Sequence, residues 1–283
     1  MTQSLNPRDM VFKALQGLGI ALALVVALSP FLVLFLNSIR PPDEFLSDTS
    51  GLVPASPTLE HYRAVFDPDA DTLLYLWNSL AITTLTTIAA VTLGTLAAYS
   101  LARLELPFRL SSIIALSFLV VRFYPKITVA LPYYLLMRDL RLLDTQIAVV
   151  IAHVSLTVPF VVWLMLAFFE DFPKEIEQSA MLDGCGPWRR FVLIVLPLVT
   201  PALVTAAILT AFLSWNEFLM ASTVGLHNAK TLPVRVSGFI TDKGILWGEM
   251  SAMSTVIVAP VMLFALMTQR YLVQGLTVGA VKG

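Results

Sequence analysis

The stretch Glu175–Pro201 reads EIEQSAMLDGCGPWRRFVLIVLPLVTP, and it is a polar interruption in a chain that is otherwise strongly apolar. Helix-forming residues run to Leu182, and the pair Asp183-Gly184 then predicts a turn, because glycine takes the left-handed conformation that ends many helices. Pro187 is well placed in the first turn of a following helix. The pattern predicts a short surface helix, a turn and a second helix, a shape suited to docking at a membrane face. An ordinary solvated loop is the alternative.

The composition indicates an integral membrane protein. Of the 283 residues, 57% are hydrophobic and only 13% are charged, whereas a soluble domain has about 25% charged residues. The net charge of −1 excludes a nucleic-acid-binding protein that relies on basic patches. The single cysteine, Cys185, excludes a disulfide framework and a cysteine-rich metal site.

The apolar runs predict an all-α membrane protein with six transmembrane helices. About 20 apolar residues cross the bilayer, because a helix rises about 1.5 Å per residue through about 30 Å of hydrocarbon. The predicted spans are about 11–36, 77–99, 111–136, 146–169, 198–223 and 250–271. They form one domain over 11–271, with tails at 1–10 and 272–283 and a polar loop at 170–197. The proline-rich and acid-rich segment 40–75 is predicted to lie outside the membrane without a strong helix.

Polar side chains inside the predicted spans are candidates for a transport path. Ionisable groups are costly in the membrane and usually face a bundle interior or a water-filled cavity. Arg122 and Lys126 share a face if their helix continues through Pro125, and a second stripe lies in the fifth span. Structural pairing and a role in the path are equally open for the charged members. The candidates are Arg122, Lys126, Thr210, Ser214, Asn216 and Glu217.

Two of these charges are predicted to pair. Counted from the span ends that lie on the same side, Lys126 is about 22 Å and Glu217 about 28 Å into the membrane. Because unpaired opposite charges in hydrocarbon are each expensive, we expect the two side chains to face the interior within ion-pair reach.

Motifs for catalysis and nucleotide binding do not occur in the sequence. It contains no GxxxxGK[ST] phosphate loop, no GxSxG, no HExxH and no His/Cys cluster with metal-ligand spacing. We therefore expect that the chain is not an enzyme and binds no cofactor or metal.

The stretch 175–201 resembles the EAA loop of the membrane subunits of binding-protein-dependent ABC importers. Gln178-Ser179-Ala180, Asp183-Gly184, Phe191, Pro197 and Pro201 occupy the matching positions. Gln178 stands where the signature has glutamate, with Glu177 one place earlier, and Ser179 replaces the first alanine. By resemblance, the ATPase-coupling residues are Glu177, Gln178, Ser179, Ala180, Asp183 and Gly184.

Other parts of the chain are similar to the carbohydrate-importing members of this family. Asn78-Ser79-Leu80 opens the second span, Ser214–Phe218 resembles a Trp-Asn-acid motif, and Gln269–Gly283 resembles the tail of the smaller membrane subunit of the maltose transporter. In that group the outer loop equivalent to 226–247 reaches into the binding protein. Asp242, Lys243 and Gly244 are its candidate contacts.

The resemblance implies the type I permease fold of ABC importers in a bacterial cytoplasmic membrane, with both termini cytoplasmic. It also implies a second homologous permease subunit, two ATP-binding cassette subunits that hold ATP and Mg, and an external carbohydrate-binding protein. A disaccharide such as trehalose or maltose is the expected cargo, with a polyol or a glycerol phosphate as the alternative. Three rival interpretations are a secondary transporter driven by an ion gradient, a membrane-embedded enzyme and a structural scaffold.

Overall fold

A computed structural model describes residues 7–46, 51–104 and 107–278, so residues 279–283 of the predicted tail lie outside it. The chain divides into two compact units. The first comprises the residues up to Ala70 together with Gly238–Val258, and the second comprises Asp71–Ser237 with the residues from Ala259 onward.

The first unit contains one long apolar helix and a small extramembrane part. Helix α1 is followed by short helices and a two-stranded hairpin, and helix α13 begins in this unit. The bounds are α1 Pro7–Ser38, α2 Glu60–Val65, 3₁₀ turns Pro42–Leu46 and Pro68–Ala70, β1 Ile240–Thr241, β2 Gly244–Ile245 and α13 Trp247–Val278. Among the described residues, none in the most apolar window of α1 is buried.

Buried polar groups hold the segment after α1. The Arg40 guanidinium donates hydrogen bonds to the carbonyls of Gly51 (2.7 Å) and Leu52 (3.1 Å), and it lies 3.7 Å from the Glu44 carboxylate. The Arg40 carbonyl is 2.8 Å from His61 Nε2. Among its described residues, this segment has no helix longer than six residues before Thr72, as the sequence predicted.

The second unit is a helical bundle built around two long helices. Helix α3 packs along α6, and α4 and α10 pack against both of them. The bounds are α3 Thr72–Arg103, 3₁₀ turn Pro107–Arg109, α4 Leu110–Phe123, α5 Lys126–Asp139, α6 Gln146–Asp171, α7 Lys174–Leu182, α8 Pro187–Arg190, a π-helical turn Phe191–Val195, α9 Leu196–Leu198, α10 Thr200–Trp215, α11 Leu219–Val224 and α12 Leu232–Ser237.

Small residues let α3 approach α6 closely. A Cβ added to Gly94 would lie 2.6 Å from Val161 Cγ1 and 2.7 Å from Val161 Cβ, so a larger residue there would force the two helices or Val161 to shift. Ala90 and Ala98, one turn away on either side, are fully buried. The small-residue pattern on α3 therefore packs helices in the way that is common in membranes.

Three described helices are long and apolar enough to cross a membrane, or up to five if each bent pair counts as one span. The single helices, Met10–Ser38, Thr72–Arg103 and Gln146–Asp171, cover the first, second and fourth predicted spans. The second starts before the predicted residue 77. The sixth predicted span, about 250–271, lies within α13.

The third predicted span is broken at Pro125. Its two halves, Pro107–Phe123 and Lys126–Asp139, meet at 95°, because proline lacks an amide hydrogen and clashes with the preceding helical turn. Arg122 and Lys126 therefore do not share a helix face, which corrects the expectation of a helix that continues through Pro125.

The fifth predicted span is also interrupted. Helix α10 ends at Trp215, residues 216–218 are irregular, and α11 follows. Glu217 therefore does not continue a helical stripe with Thr210 and Ser214, contrary to the spacing argument. At its other end α10 begins after a 77° bend at Val199, between Pro187–Leu198 and Thr200–Trp215.

The polar stretch folds as the sequence predicts, into α7, a turn and α8. Gly184 has a φ of +81°, and the turn closes with hydrogen bonds from Gly184 N to Met181 O (3.0 Å) and from Cys185 N to Ala180 O (2.9 Å). This pair of bonds is the Schellman motif, which satisfies the last carbonyls of a helix. We call the segment 174–198 the docking element.

Replacing Gly184 tests the backbone conformation of the turn separately from any steric clash, since no atom lies within 4 Å of an added Cβ. Gly184→Val should cost about 1 kcal/mol or more through backbone strain alone and lower the melting temperature of the purified protein. Gly186→Ala is the matched control, because Gly186 has a φ of −64°. Equal melting temperatures for the two variants would contradict the turn assignment.

Asp144 holds the loop that precedes α12. Its carboxylate accepts hydrogen bonds from the backbone N–H groups of His227 (2.8 Å), Asn228 (3.0 Å) and Ala229 (3.1 Å). Burial acts to raise the pKa of Asp144, but these donors outweigh it and lower the pKa below its ordinary value. The carboxylate therefore stabilises the fold above the ordinary carboxyl pKa, and that contribution is lost as the pH falls through the lowered folded-state pKa.

Asp144→Asn should consequently reduce stability at pH 7. It should also make the melting temperatures at pH 7 and pH 3 differ less than they do in the wild type. Melting temperatures measured across this range would show the effect. Asp139→Asn is the control, since the Asp139 carboxylate is largely exposed and contacts Arg138. A pH dependence unchanged by Asp144→Asn would exclude this carboxylate as its source.

Candidate functional site

One buried carboxylate joins the docking element to the bundle. Glu177 is 4% exposed, and its Oε2 accepts a hydrogen bond of 2.7 Å from the Tyr99 hydroxyl. Arg103 Nε donates to Oε1 at 2.6 Å, and Arg190 Nε lies 3.4 Å from Oε2. These four side chains, the Glu177 cluster, connect α7 with the end of α3 and with α8.

Apolar surroundings strengthen the electrostatic attraction within the Glu177 cluster. The Tyr99 ring packs against Phe191 and Phe169, with centroids 4.7 and 5.4 Å apart, and this apolar cover excludes water. In such a setting an ion pair is much stronger than at an exposed surface. Loss of the carboxylate would leave two partly buried guanidinium groups without their acid, and breaking a fully buried pair in this way typically costs about 3–5 kcal/mol.

The predicted coupling residues divide between two faces of α7. Glu177 and Ala180 are buried against the chain, whereas Gln178, Ser179 and Asp183 are exposed. By resemblance, Glu177 is one of the residues expected to couple to an ATPase subunit. The structure directs its carboxylate into the bundle, towards Tyr99 and Arg103, so the outward face of α7 is formed by its neighbours.

A second polar cluster confirms the predicted pairing of Lys126 with Glu217. Lys126 Nζ lies 3.7 Å from Glu217 Oε1. The Glu217 side chain is 5% exposed and that of Lys126 is 53% exposed. The break at Pro125 and the break after Trp215 bring the two charges together, because each residue lies at a helix interruption.

The other oxygen of Glu217 serves the backbone and a histidine. Oε2 accepts hydrogen bonds from Met220 N (2.9 Å) and Ala221 N (3.1 Å), which caps α11. It also lies 3.4 Å from His153 Nε2, and His153 Nδ1 is 2.9 Å from Ser214 Oγ. The carboxylate is thus fully used, and it fixes the start of α11 against α6.

Arg122 lies beside this cluster rather than in it. Its guanidinium carbon is 4.8 Å from the centre of the Phe160 ring, a cation–π contact. Arg122, Lys126, His153, Ser214 and Glu217 line one cavity of about 190 Å³. The fold therefore assembles four of the six path candidates at a single cavity.

Of the remaining two path candidates, Asn216 lines a neighbouring pocket together with Lys126 and Glu217, and Thr210 lies inside the bundle. Asn216 is exposed, and its amide donates a hydrogen bond to the Phe212 carbonyl at 2.8 Å. Thr210 is fully buried, and its hydroxyl has no hydrogen-bond partner in the described structure. Within the described residues, no group of three or more His, Cys, Asp or Glu could hold a metal ion.

The predicted tip of the outer loop is a β-hairpin of the first unit. Ile240 pairs with Ile245 and Thr241 with Gly244, so that Asp242 and Lys243 form the turn. Gly244 takes a φ of +122°, and all the residues of the hairpin are exposed.

Sequence reasoning missed Tyr99 and Arg103 at one end of α3 and the contacts that Asn78 makes at the other. Tyr99 and Arg103 are four apart and hence share a helix face, a signal that points to a common partner. At the other end, Asn78 Nδ2 donates to the carbonyls of Asn228 (2.7 Å) and Lys230 (3.0 Å). No local pattern indicates that partner, because it is 150 residues away.

The pairing of Lys126 and Glu217 predicts a partial rescue. Lys126→Met should lower the melting temperature clearly, since it strands a buried carboxylate. Glu217→Gln should cost less, because Lys126 is half exposed. The double substitution should be more stable than Lys126→Met alone. Arg138→Gln, which removes an exposed ion pair, is the control and should change little. A double variant no better than the worse single one would contradict the pairing.

Comparison with known proteins identifies the family and its relatives. Residues 90–278, more than half of the chain, match the family model "Binding-protein-dependent transport system inner membrane component". The trehalose/maltose transport system permease protein MalG of Thermococcus litoralis is 34% identical over 94% of this chain and 95% of its own length. The sulfoquinovosyl glycerol transport system permease protein SmoH of Agrobacterium fabrum is 32% identical over 96% and 94%, respectively.

The fold agrees with a solved transporter structure. A chain of a bacterial ABC transporter involved in the import of the acidic polysaccharide alginate superimposes with a TM-score of 0.73, covering 95% of this chain and 99% of that chain at 22% identity. The relatives are transport subunits rather than enzymes. This chain therefore belongs to the family of inner membrane components of binding-protein-dependent transport systems, the permease subunits of ABC importers.

Proposed function

We propose that this chain is one of two homologous membrane subunits of an ATP-driven importer that receives a carbohydrate from an external binding protein. In this proposal the chain crosses a bacterial inner membrane six times with both termini in the cytoplasm. Two ATP-binding cassette subunits hold ATP and Mg, and the chain itself binds neither.

The observation that carries the proposal is the surface of the docking element. Its polar neighbourhood marks it as extramembrane, yet it exposes large apolar side chains: Leu182 is 91% and Trp188 is 68% exposed, and Ile176 and Met181 are exposed beside them. Exposed apolar groups on an otherwise polar element indicate a protein partner. A groove on an ATPase subunit would cover them.

The Glu177 cluster gives the proposed coupling a physical path. When ATP binding closes the ATPase pair, the docking element moves with the subunit that holds it. Arg103 and Tyr99 then transmit that displacement to α3. Closure shifts the inward–outward equilibrium only by the difference between its binding to the two states.

The cargo is proposed as a carbohydrate, with a disaccharide such as trehalose or maltose as the first candidate. A relative that handles trehalose and maltose and one that handles sulfoquinovosyl glycerol have nearly equal identity to this chain. A polyol or a glycerol phosphate is therefore the alternative.

Reconstitution into proteoliposomes tests the proposal. Uptake of labelled carbohydrate should require ATP, the ATPase subunits and the binding protein, and it should persist when ionophores collapse ion gradients. Uptake without ATP that an ionophore abolishes would identify a secondary transporter instead. The binding protein that co-purifies, and the sugar that it holds, would identify the cargo.

The hairpin at 240–245 is proposed to contact the binding protein. Replacing Thr241–Gly244 by a shorter turn should leave assembly with the ATPase subunits unchanged and depress uptake at saturating carbohydrate. Lys243→Ala, which keeps the hairpin backbone, is the control for charge alone. Unchanged uptake by the shortened variant would make the hairpin a simple connector.

A further inference from the structure

The cavity beside Glu217 has an unbalanced charge. Arg122 and Lys126 are two cations, and Glu217 is the single carboxylate that lines the cavity with them. Both oxygens of that carboxylate are already engaged, one with Lys126 and the other with the backbone of α11 and with His153. Of the groups that line the cavity, one positive charge is therefore not neutralised.

Arg122 carries that excess charge. Among the side chains that the structure describes, no carboxylate lies within 4 Å of its guanidinium nitrogens. The Phe160 ring packs on the guanidinium at 4.8 Å, which orients the group while leaving its edge donors free. Arg122 is exposed at the cavity, so its donors are open to a ligand. An arginine at membrane depth without an acid is costly, and an anionic ligand would offset that cost.

The backbone adds to the positive field. Helix α5 begins at Lys126, and no side chain caps its first turn. The free N–H groups of a helix start carry partial positive charge. Non-helical backbone at membrane depth is tolerated where it lines a cavity, and the breaks at Pro125 and at 216–218 both do so here.

The size of the cavity limits what enters it. Its volume of about 190 Å³ is below the roughly 300 Å³ at which pockets for whole small ligands begin. It is large enough for one charged substituent and part of a ring. The aromatic and apolar walls, which include Tyr124, Leu156 and Phe160, lower the local dielectric constant and strengthen attraction to an anion.

We propose that this cavity binds an anionic group of the transported carbohydrate, a carboxylate, sulfonate or phosphate, with Arg122 and Lys126 as its direct ligands. The planar guanidinium suits two parallel hydrogen bonds to such a group. Glu217 holds Lys126 in place, and His153 and Ser214 hold Glu217. The inference depends on the proposed function and adds the substrate class and a substrate contact on this subunit.

The test uses the complete transporter in nanodiscs of neutral phosphatidylcholine, without the binding protein. Equilibrium binding is measured for labelled pairs that differ in one charged group: glucuronate and glucose, glycerol 3-phosphate and glycerol, maltobionate and maltose. At least one acidic probe should bind saturably and about tenfold more tightly than its neutral partner, as expected for hydrogen bonds to a charged group.

Variants identify the ligands. Arg122→Gln and Lys126→Gln should each weaken binding of the acidic probe about tenfold, and Arg122→Lys should restore part of the loss. Arg138→Gln, which removes an exposed cation paired with Asp139, is the control and should bind as the wild type does. Lys126→Gln risks instability. If the Lys126→Gln transporter fails to assemble, the comparison of Arg122→Gln with Arg122→Lys decides the result.

Three results would overturn the inference. The first is equal binding of the acidic and neutral partners, and the second is binding that Arg122→Gln leaves unaffected. The third is loss of probe binding in nanodiscs that contain anionic lipid, which would assign the cavity to lipid headgroups. ATP-driven uptake of a neutral carbohydrate by the same transporter, reconstituted into proteoliposomes with the binding protein, would leave the proposed function intact in each case. Absence of ATP-driven uptake for every carbohydrate would count against the proposed function itself.

Discussion

The buried carboxylate of Glu177 is the interaction on which the second unit depends. It lies between Arg103 and Arg190 and accepts a hydrogen bond from Tyr99, so the docking element and the end of α3 are held as one body. Unlike an exposed salt bridge, this pair is covered by aromatic rings and cannot exchange its partners for water without cost.

Helix α3 extends the influence of that cluster along the bundle. Its first turns are tied to the loop before α12, because Asn78 donates to the carbonyls of Asn228 and Lys230, and Ser79 Oγ accepts from Leu232 N. Between these ends, Gly94 places α3 directly against α6. If the docking element moves, we therefore expect α3 to move as a rigid helix, so that its far end is displaced as well.

Broken helices give the bundle its polar cavity. A continuous helix satisfies its own backbone, so a break at membrane depth needs side chains, protein or water to replace the lost hydrogen bonds. At 216–218, Glu217 supplies this replacement by capping α11. The same carboxylate neutralises Lys126, so one residue meets a structural need and shapes the electrostatics of the cavity.

The features of the fold and of the candidate site that depend on neighbouring residues could be predicted from the sequence. Gly184 and Pro187 determine the turn and the second helix of the docking element through backbone preferences alone, and the cost of isolated charges was enough to pair Lys126 with Glu217. Hydropathy could not show that the third and fifth spans are interrupted, because broken and continuous helices have the same apolar composition. The partners of Glu177 and Asn78 depend on packing between distant segments, which no spacing rule specifies.

The most direct test of the account is the number of ATP molecules hydrolysed for each carbohydrate imported by the reconstituted transporter. We expect Glu177→Gln to raise this ratio several-fold, because in the proposed mechanism the ATPase subunits would still move the docking element but the docking element would no longer carry α3 with it. Gln178→Glu, a change at the exposed neighbouring position, should leave the ratio unchanged. A wild-type ratio in Glu177→Gln, or equal and large changes in both variants, would contradict the role assigned to the buried carboxylate.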